Sequence, residues 1–436
     1  MDFLVLPTAL TSGTVTVPGD KSISHRALIL GAIAEGRTEI EGLLAGEDCL
    51  ATLSALRALG VSIDNSDDTR VFIDGVGFGG LSIPRKALDL GNSGTGMRLL
   101  AGLLCGQQFD STLTGDESLS SRPMHRIIEP LSMMGASIDS NDGKPPLVIH
   151  GGRALTGVHY APPVASAQVK SAILLAGLYA KGETVVIERA VTRDHTERML
   201  RSMGAGVSGD SGHIRLQATE RLEATSIKVP ADLSSAAFVI LATLIAKDAE
   251  VVISNVGVNP TRTGVIEILR EMGGGISIEN PQLVGEEPVA DIRVRSSVLH
   301  GIAVDASLVS LAIDEFPVLF IAAANAVGST QFSGIGELRV KESDRISAMA
   351  NGLQQMGIKV DVSEDGAEIY YGEPSGAIID SYGDHRVAMS FAVAATIADS
   401  VVRVRNIDAV DTSFPGFSDV LGSLGVSISI EDPDQS

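Results

Sequence analysis

Tryptophan is absent from the 436-residue sequence, and aromatic residues of all kinds make up only 4% of it. The hydrophobic content is nevertheless 44%, so the chain can bury sizeable cores built from alanine, valine, leucine and isoleucine. This composition excludes a disordered or fibrous protein. The 47 glycines indicate tight turns between the elements. At roughly 150 residues per domain, the length predicts two or three domains.

Cysteine is nearly as scarce as tryptophan. The chain has only two, Cys49 and Cys105, which excludes a disulfide scaffold and a metal site built on cysteine. Each lies among apolar neighbours, in EDCLAT and LLCGQ. We expect both to be buried as small hydrophobic residues rather than to act in catalysis.

Long hydrophobic runs are also missing. The longest, such as residues 236–246, hold about a dozen residues, well short of the ~20 that a transmembrane helix needs. The first residues, MDFLVLPTALTSG, lack a basic region and reach Pro7 early, which excludes a secretory signal peptide. We therefore expect a cytoplasmic protein with no membrane partner.

Basic residues are also scarce in comparison with acidic ones. Lysine and arginine number 33 against 54 aspartates and glutamates, and the net charge is −21. Such a charge argues against nucleic acid or an anionic membrane as a partner. A small anionic ligand is compatible with it, provided that basic residues are concentrated locally.

One pattern recurs six times along the chain. A small or polar start leads into an apolar, alanine-rich run, and a β-rich stretch follows. The runs cover residues 22–36, 93–106, 165–182, 234–248, 314–328 and 384–400. Since these runs are apolar nearly all round after their first turn, we expect helices that are buried on all sides.

A second, amphipathic helix follows each β-rich stretch and closes on Leu-Gly or Met-Gly. A glycine after the last helical turn is the expected stop signal. The six glycines are Gly60, Gly135, Gly204, Gly273, Gly357 and Gly425. The pattern predicts an α/β protein of six repeated units in two groups of three, joined near residues 222–235.

Charged residues at the starts of the buried helices are the candidate site residues. A helix N-terminus already favours anions, and lysine or arginine placed there strengthens the site. If several such starts converge, they form a pocket for a ligand with several negative charges. These charged residues are Lys21, Arg26, Arg98, Lys170, Asp314, Glu315, Asp384, His385 and Arg386.

Two glycine-containing motifs suit an anion. GDKSISHR (19–26) places Lys21 and Ser22 at a helix start with Arg26 one turn later, although a capped helix with solvated charges would look the same. GNSGTGMR (91–98) is a glycine-rich entry to a helix whose backbone N–H groups can face an anion, or equally a plain tight turn.

Three charged motifs in the second half have alternative explanations. In ELRVKESDR (337–345) the four-residue spacing puts Lys341 and Arg345 on one helical face; a solvated face is the usual explanation, but the charge density favours a site. In IDEFP (313–317) Asp314 is a candidate general base or simply a helix N-cap. In SYGDHR (381–386) His385 is more typical of an orienting residue than of a base.

Taken in order, these motifs resemble the enolpyruvyl transferase family. The resemblance runs from about Val15 to Phe417, and its class II, bacterial branch matches best. The motifs are GDKSISHRA, LGNSGTGMR, SSRP, SAQVKSA, TRDHTE, IDEFP, RVKESDR, GDHR and TSFP.

The resemblance implies a fold and a domain division. Each of two domains would hold three βαβαββ units arranged as an inside-out α/β barrel, with helices inside, sheets outside and the active site in the interdomain cleft. The first domain would comprise residues 21–231, and the second residues 1–20 plus 232–436.

The resemblance also implies a reaction. The 5-hydroxyl of shikimate 3-phosphate would add to C2 of phosphoenolpyruvate, and the tetrahedral intermediate would then lose phosphate. No metal ion or organic cofactor is implied, and we expect a monomer. Two alternatives are the family branch that acts on UDP-N-acetylglucosamine and a non-catalytic, anion-binding repeat protein.

Matched positions carry the family's roles over to this chain. Asp314 matches the acceptor of the hydroxyl proton, Glu342 a candidate donor to C3, and Lys21 a catalytic lysine that contacts both substrates. The residues implied for shikimate 3-phosphate are Lys21, Ser22, Arg26, Ser166, Ala167, Gln168, Arg193, Asp314 and Lys341. The residues implied for phosphoenolpyruvate are Lys21, Asn92, Gly94, Arg122, Gln168, Arg345 and Arg386.

Overall fold

The computed structural model describes residues 1–209 and 212–432 as an α/β structure. The chain packs as two compact units, each with its own hydrophobic core. The first unit comprises residues 19–229 with 284–287, and the second comprises 1–18, 230–283 and 288–436. The α/β class predicted from the sequence is confirmed.

The helices alternate with strands along the whole described chain. They are α1 (Lys21–Ile33), α2 (Glu47–Ala58), α3 (Gly94–Leu104), α4 (Glu117–Ser121), α5 (His125–Met133), α6 (Ala167–Gly177), α7 (His195–Ser202), α8 (Leu233–Ile245), α9 (Gly264–Glu271), α10 (Ala306–Ala312), α11 (Phe316–Ala324), α12 (Arg345–Gln355), α13 (His385–Ala395) and α14 (Phe417–Ser423). Short 3₁₀ helices cover Gly336–Val340 and Asp408–Thr412.

The strands are short. They are β1 (Asp2–Val5), β2 (Gly13–Val15), β3 (Glu35–Glu41), β4 (Ser62–Asp64), β5 (Arg70–Val76), β6 (Leu88–Asp89), β7 (Ser111–Thr114), β8 (Ser137–Asn141), β9 (Lys144–His150), β10 (His159–Tyr160), β11 (Thr184–Ile187), β12 (Val207–Ser208), β13 (His213–Leu216), β14 (Ser226–Lys228), β15 (Glu250–Gly257), β16 (Gly275–Val284), β17 (Glu287–Arg295), β18 (Ser329–Ser333), β19 (Val360–Ser363), β20 (Gly366–Tyr370), β21 (Ile378–Asp380), β22 (Val402–Arg405) and β23 (Ile428–Glu431).

Within the described residues these strands form six small sheets, three in each unit. The first unit holds β14-β3-β5-β4, β6-β7-β9-β8 and β10-β11-β13-β12. The second holds β16-β17-β15-β2, β18-β20-β19 and β21-β22-β1-β23. The N-terminal strands β1 and β2 pair with strands from the C-terminal half of the chain, β1 antiparallel to β22 and β2 parallel to β15.

Each of the six apolar runs forms a buried helix, as the sequence predicts. These helices are α1, α3, α6, α8, α11 and α13. In α8 every residue from Leu233 to Leu244 is buried, and in α13 all eleven residues are. A helix that presents no polar face to water can carry charged groups only near its ends, so these ends are where the chemistry must lie.

The second helix in each of the six sequence repeats ends at the position that its glycine predicts. Gly60, Gly135, Gly204, Gly273, Gly357 and Gly425 all have φ between 84° and 101°. This left-handed conformation stops a helix and is strained for residues with a Cβ atom. The glycine spacing along the chain therefore correctly predicts the C-terminal ends of these second, amphipathic helices.

Small residues let two buried helices pack closely in the first unit. A Cβ atom on Gly102 of α3 would lie 2.2 Å from the backbone oxygen of Ala172 in α6. Cys49 and Cys105 are buried, as predicted, and burial raises the pKa of the Cys105 thiol to about 12. Across the described residues, no helix combines the length and apolar character needed to cross a bilayer.

Candidate active site

In the first unit, the start of α1 presents Lys21. The side chain of Asp20 caps the helix by accepting a hydrogen bond from the backbone N–H of Ile23 at 2.8 Å. Lys21 Nζ lies 2.9 Å from Oδ2 of Asp48, which is near the start of α2. Both side chains keep some exposure, at 16% and 11%, so the ammonium group of Lys21 is held in place and still reaches solvent.

Arg26, one turn further along α1, is buried. Its Nε donates to Thr196 Oγ1 at 2.6 Å, its Nη2 to Ser171 Oγ at 2.7 Å, and its Nη1 to the backbone oxygen of Ser22 at 2.8 Å. Burial lowers the pKa of Arg26 to about 10, with Glu197 opposing this shift. The side chain therefore joins the starts of α1 and α7 to α6.

The glycine-rich entry to α3 is a capped turn that holds Asn92. Ser93 caps the helix by accepting from the backbone N–H of Gly96 at 3.0 Å. Arg122 Nη2 donates to Asn92 Oδ1 at 2.6 Å and to Ser118 Oγ at 3.0 Å. The turn and the SSRP segment thus form one structure, with the guanidinium of Arg122 beside Gly94.

Gln168 links α6 to α3. Its Oε1 accepts from Arg98 Nη1 at 2.8 Å, and its Nε2 donates to Thr95 Oγ1 at 2.9 Å. Ser166 caps α6 through a 3.3 Å hydrogen bond from the backbone N–H of Val169. In this unit, Gln168 joins the start of α6 to α3, and Arg26 joins α1 to α6 through Ser171.

Arg193 lies half-buried on the loop between β11 and α7. It is near enough to Arg26 for its charge to lower the pKa of that guanidinium, in addition to the larger effect of burial. Two arginines with mutually repelling charges in one region form a site for an anion.

In the second unit, Asp314 faces two cations immediately before α11. Its Oδ1 lies 3.5 Å from Lys341 Nζ and 3.6 Å from Arg345 Nη1. Its backbone oxygen accepts a 2.9 Å hydrogen bond from Arg386 Nη1. Side chains from before α12 and from within α12 and α13 therefore converge on the one aspartate before α11.

Arg345 is the centre of this cluster and is 1% exposed. Its Nε lies 2.7 Å from Oδ2 of Asp384, and its Nη2 lies 2.6 Å from Oε2 of Glu342. Burial works against its charge, but Asp384, Glu342 and Asp314 raise the pKa of Arg345. Arg345 thus orients the carboxylate of Glu342.

One local prediction for this cluster is wrong. The spacing predicted Lys341 and Arg345 on one helical face, but Lys341 has extended backbone and α12 begins only at Arg345. They reach the same oxygen because the intervening turn brings them together. The alternative of Asp314 as an N-cap also fails, since Glu315 holds that position.

Sequence reasoning missed the buried contacts of several polar residues behind these two clusters. His25 hydrogen-bonds to Thr52 Oγ1 at 2.9 Å, and Lys170 is 1% exposed. In the second unit, Arg262 donates to Ser234 Oγ at 2.6 Å, and Ser234 Oγ donates to Glu315 Oε1. The signal for His25 and Lys170 was a polar residue inside an apolar run, which requires a buried partner. Arg262 lies in the segment NPTRTG and gave no such signal.

Among residues 1–209 and 212–432, no group of three or more histidines, cysteines, aspartates or glutamates is arranged to hold a metal ion. In the first cluster Lys21 is paired with a carboxylate, whereas Arg26 and Arg122 donate to neutral groups. In the second cluster Lys341 and Arg345 are paired with carboxylates.

Comparison with known proteins gives one consistent result. Residues 6–421 match the family described as EPSP synthase (3-phosphoshikimate 1-carboxyvinyltransferase). The chain is 55% identical over 417 residues to the 3-phosphoshikimate 1-carboxyvinyltransferase of Legionella pneumophila (strain Lens), covering 96% of each chain. The protein of the same description from Nitrosococcus oceani is 54% identical over 429 residues, covering 98% of this chain and 97% of that one.

A solved structure agrees with the sequence matches. The EPSP synthase of Acinetobacter baumannii superimposes with a TM-score of 0.88 at 50% sequence identity. The match covers 98% of this chain and the whole of that one.

Proposed function

This chain belongs to the EPSP synthase family and has the 3-phosphoshikimate 1-carboxyvinyltransferase activity of the shikimate pathway, and from that premise we propose how its residues divide the reaction. The enzyme transfers the carboxyvinyl (enolpyruvyl) group of phosphoenolpyruvate to the 5-hydroxyl of shikimate 3-phosphate and releases phosphate. Both substrates are polyanions, which accounts for local cations in a chain of net charge −21.

Shikimate 3-phosphate is bound mainly by residues of the first unit. Arg26 and Arg193 neutralise its anionic groups, and Ser166 donates from the start of α6. The remaining ligands, proposed from matched motif positions, are Lys21, Ser22, Ala167, Gln168, Asp314 and Lys341. The repulsion between Arg26 and Arg193 supports this assignment, because a bound phosphate would relieve it.

Phosphoenolpyruvate is bound by a second set of cations. Arg122 lies beside the Gly94 turn in the first unit, and Arg345 and Arg386 surround Asp314 in the second. Lys21, Asn92 and Gln168 complete the set. Glycine at position 94 leaves room for the ligand beside Arg122, since a Cβ atom there would lie 3.3 Å from Arg122 Nη1.

The chemistry is an addition followed by an elimination. The 5-hydroxyl oxygen bonds to C2 of phosphoenolpyruvate, its proton passes to the carboxylate of Asp314, and C3 receives a proton from Glu342. The tetrahedral intermediate then loses a proton from C3 and phosphate from C2, so that the double bond forms again. Lys21 and the arginines stabilise the charge that develops on phosphate. No metal ion or cofactor takes part in this scheme.

The observation that carries this assignment is the contact of Asp314 with two cations. Lys341 and Arg345 stabilise the negative charge that a proton acceptor needs, and Arg386 fixes the backbone of the same residue. Asp314 is therefore held as an ionised base beside the proposed phosphoenolpyruvate ligands.

We further propose that each unit is one of the two domains predicted from the sequence. Three small sheets and three mostly buried helices in each unit support three βαβαββ repeats with helices inside and sheets outside. The monomeric state and the cytoplasmic location stay predictions.

The test is phosphate release from shikimate 3-phosphate and phosphoenolpyruvate without added metal. We expect turnover with this pair and none when UDP-N-acetylglucosamine replaces shikimate 3-phosphate. Release with the nucleotide sugar alone would support the other branch of the family. Tight binding of both substrates without release would support an anion-binding protein that lacks catalysis.

A further inference from the structure

Lys170 lies in the second turn of α6 with its ammonium group enclosed by oxygen atoms. Its Nζ is 2.7 Å from Glu197 Oε1, 3.0 Å from Glu188 Oε2, and 3.3 Å from the backbone oxygen of Thr192. All three charged side chains are at most 5% exposed. An ammonium group buried in this way is costly unless it is paired, so its position is tightly fixed.

The three oxygen atoms belong to one segment, residues 188–197. Glu188 follows β11, Glu197 lies in the first turn of α7, and Thr192 stands between them. Thr192 Oγ1 also donates to Glu188 Oε1, which closes the segment on itself. Lys170 therefore holds the beginning, the middle and the end of the loop that carries Arg193.

The contact with Thr192 reaches Arg193 directly. The carbonyl group of Thr192 belongs to the peptide unit that also contains the backbone N–H of Arg193. Because a peptide unit is planar and rigid, a hydrogen bond to this carbonyl fixes the orientation in which the main chain enters Arg193.

The residue after Lys170 joins the loop to other predicted ligands. Ser171 Oγ accepts from Arg26 Nη2 at 2.7 Å and lies 2.7 Å from Thr196 Oγ1. It also donates to the backbone oxygen of Ala167 at 2.7 Å. Positions 170 and 171 thus connect Arg26, Ala167 and the Arg193 loop in one network.

We propose that Lys170 is a positioning residue for the 3-phosphate of shikimate 3-phosphate, acting through the 188–197 loop to align Arg193 with Arg26. The proposal rests on the role of Arg193 given under the proposed function. Lys170 touches no substrate in this role, since its ammonium group is buried among oxygen atoms of the protein. Its loss weakens binding of one substrate more than it slows the chemistry.

The first test compares Lys170→Met with Lys181→Met, which removes an exposed lysine just after α6. For Lys170→Met we expect the KM for shikimate 3-phosphate to rise roughly tenfold, because a misplaced ligand weakens binding. The KM for phosphoenolpyruvate and kcat should change less than about twofold, on the same reasoning. Lys181→Met should leave all three constants unchanged.

A milder pair of variants keeps every charge in place. Thr192→Val removes the hydroxyl that binds Glu188, and Thr192→Ser retains it. We expect Thr192→Val to raise the KM for shikimate 3-phosphate and Thr192→Ser to restore it. This pair decides the matter if Lys170→Met does not fold. An unchanged KM in folded Thr192→Val, or equal changes for both substrates, overturns the proposal.

Arg193→Ala tests the role of Arg193 as a ligand separately from the role of Lys170 in positioning it. If it leaves the KM for shikimate 3-phosphate unchanged, the assignment of Arg193 is wrong and the role of Lys170 falls with it. If Arg193→Ala raises this KM while folded Lys170→Met and Thr192→Val do not, Arg193 is a ligand that needs no help from Lys170. An increase in all three variants supports the proposal.

Discussion

Lys341 Nζ lies 3.5 Å from Oδ1 of Asp314, an aspartate that sits just outside α11 rather than capping it. Arg345 Nη1 approaches the same oxygen at 3.6 Å. Two cations at one oxygen favour the ionised carboxylate, and an ionised carboxylate can accept a proton from a hydroxyl group.

Asp314→Asn tests this role. Asparagine keeps the size of the side chain but cannot act as a base, so kcat should fall by roughly 10²–10⁴-fold while both KM values stay within a few-fold. Steady-state phosphate release and calorimetric titration with shikimate 3-phosphate measure the two effects. Asp361→Asn, which changes an exposed carboxylate, is the control. Turnover close to that of the unmodified protein would remove Asp314 from the mechanism.

Arg345→Met should destabilise the protein strongly. It leaves Asp384, which is 0% exposed, without its charged partner, and breaking a buried ion pair in this way costs about 3–5 kcal/mol. Arg295→Met removes a guanidinium that is 67% exposed and should cost less than about 1 kcal/mol. Urea unfolding followed by circular dichroism suits a chain without tryptophan. Equal midpoints for the two variants would contradict this account of Arg345.

Gly94→Ala should weaken substrate binding, whereas Gly96→Ala, only two positions away, should lower the stability of the fold. A Cβ atom at 94 would lie 2.8 Å from Arg98 Nη1 and 3.3 Å from Arg122 Nη1, the mobile ends of two long side chains. These ends can shift, so the fold survives. The KM for phosphoenolpyruvate should rise by about tenfold, because Arg122 is displaced.

A Cβ atom at 96 would meet a different environment. It would lie 2.7 Å from Thr52 Oγ1 and 2.9 Å from Ser93 Oγ, both on buried side chains that cannot move away. Gly96→Ala should therefore lower the free energy of unfolding by about 1–3 kcal/mol. If Gly94→Ala proves the less stable variant, Thr52 and Ser93 do not restrict position 96 more than the two arginines restrict position 94.

Local patterns predicted the features that depend on neighbours in sequence. An apolar run with no polar face must be buried, which correctly predicts the burial of α8 and α13. A glycine after a helix adopts the left-handed conformation, which correctly predicts the backbone of Gly60 and Gly425. The helix-start motifs also placed Asp314 among the candidate site residues, although they did not identify its partners. These inferences needed only the geometry of one element.

The rest depended on contacts between distant segments. Lys170 was predicted as one of several cations for an anionic ligand, but Glu188 and Glu197, 18 and 27 residues later, bind its charge. Helical spacing cannot reveal such pairs. Lys341 and Arg345 meet through a turn, and a spacing rule for helices does not apply there.

His25 gives a prediction about pH. It is buried between Thr52 and Ser93, and burial, followed by the charges of Lys21 and Arg26, lowers its pKa to about 3. In the unfolded chain the same group titrates near 6.5. Between these values the unfolded state binds the extra proton and the folded state does not. The contribution of His25 to stability is therefore complete above pH 6.5 and is lost as the pH falls toward 3.

His25→Asn removes this titration and keeps a side chain that can hydrogen-bond to both neighbours. The loss in the unmodified protein amounts to at most about 1.4 kcal/mol per pH unit, so its advantage over the variant should shrink by about 2 kcal/mol between pH 6.5 and 5. Urea unfolding at several pH values measures the difference, in which titrations common to both proteins cancel. His159→Asn, at an exposed position, should give a curve parallel to that of the unmodified protein. If the His25→Asn curve is parallel as well, His25 binds a proton as readily in the fold as in the unfolded chain, and the α1 start then gains a cation below about pH 6.5.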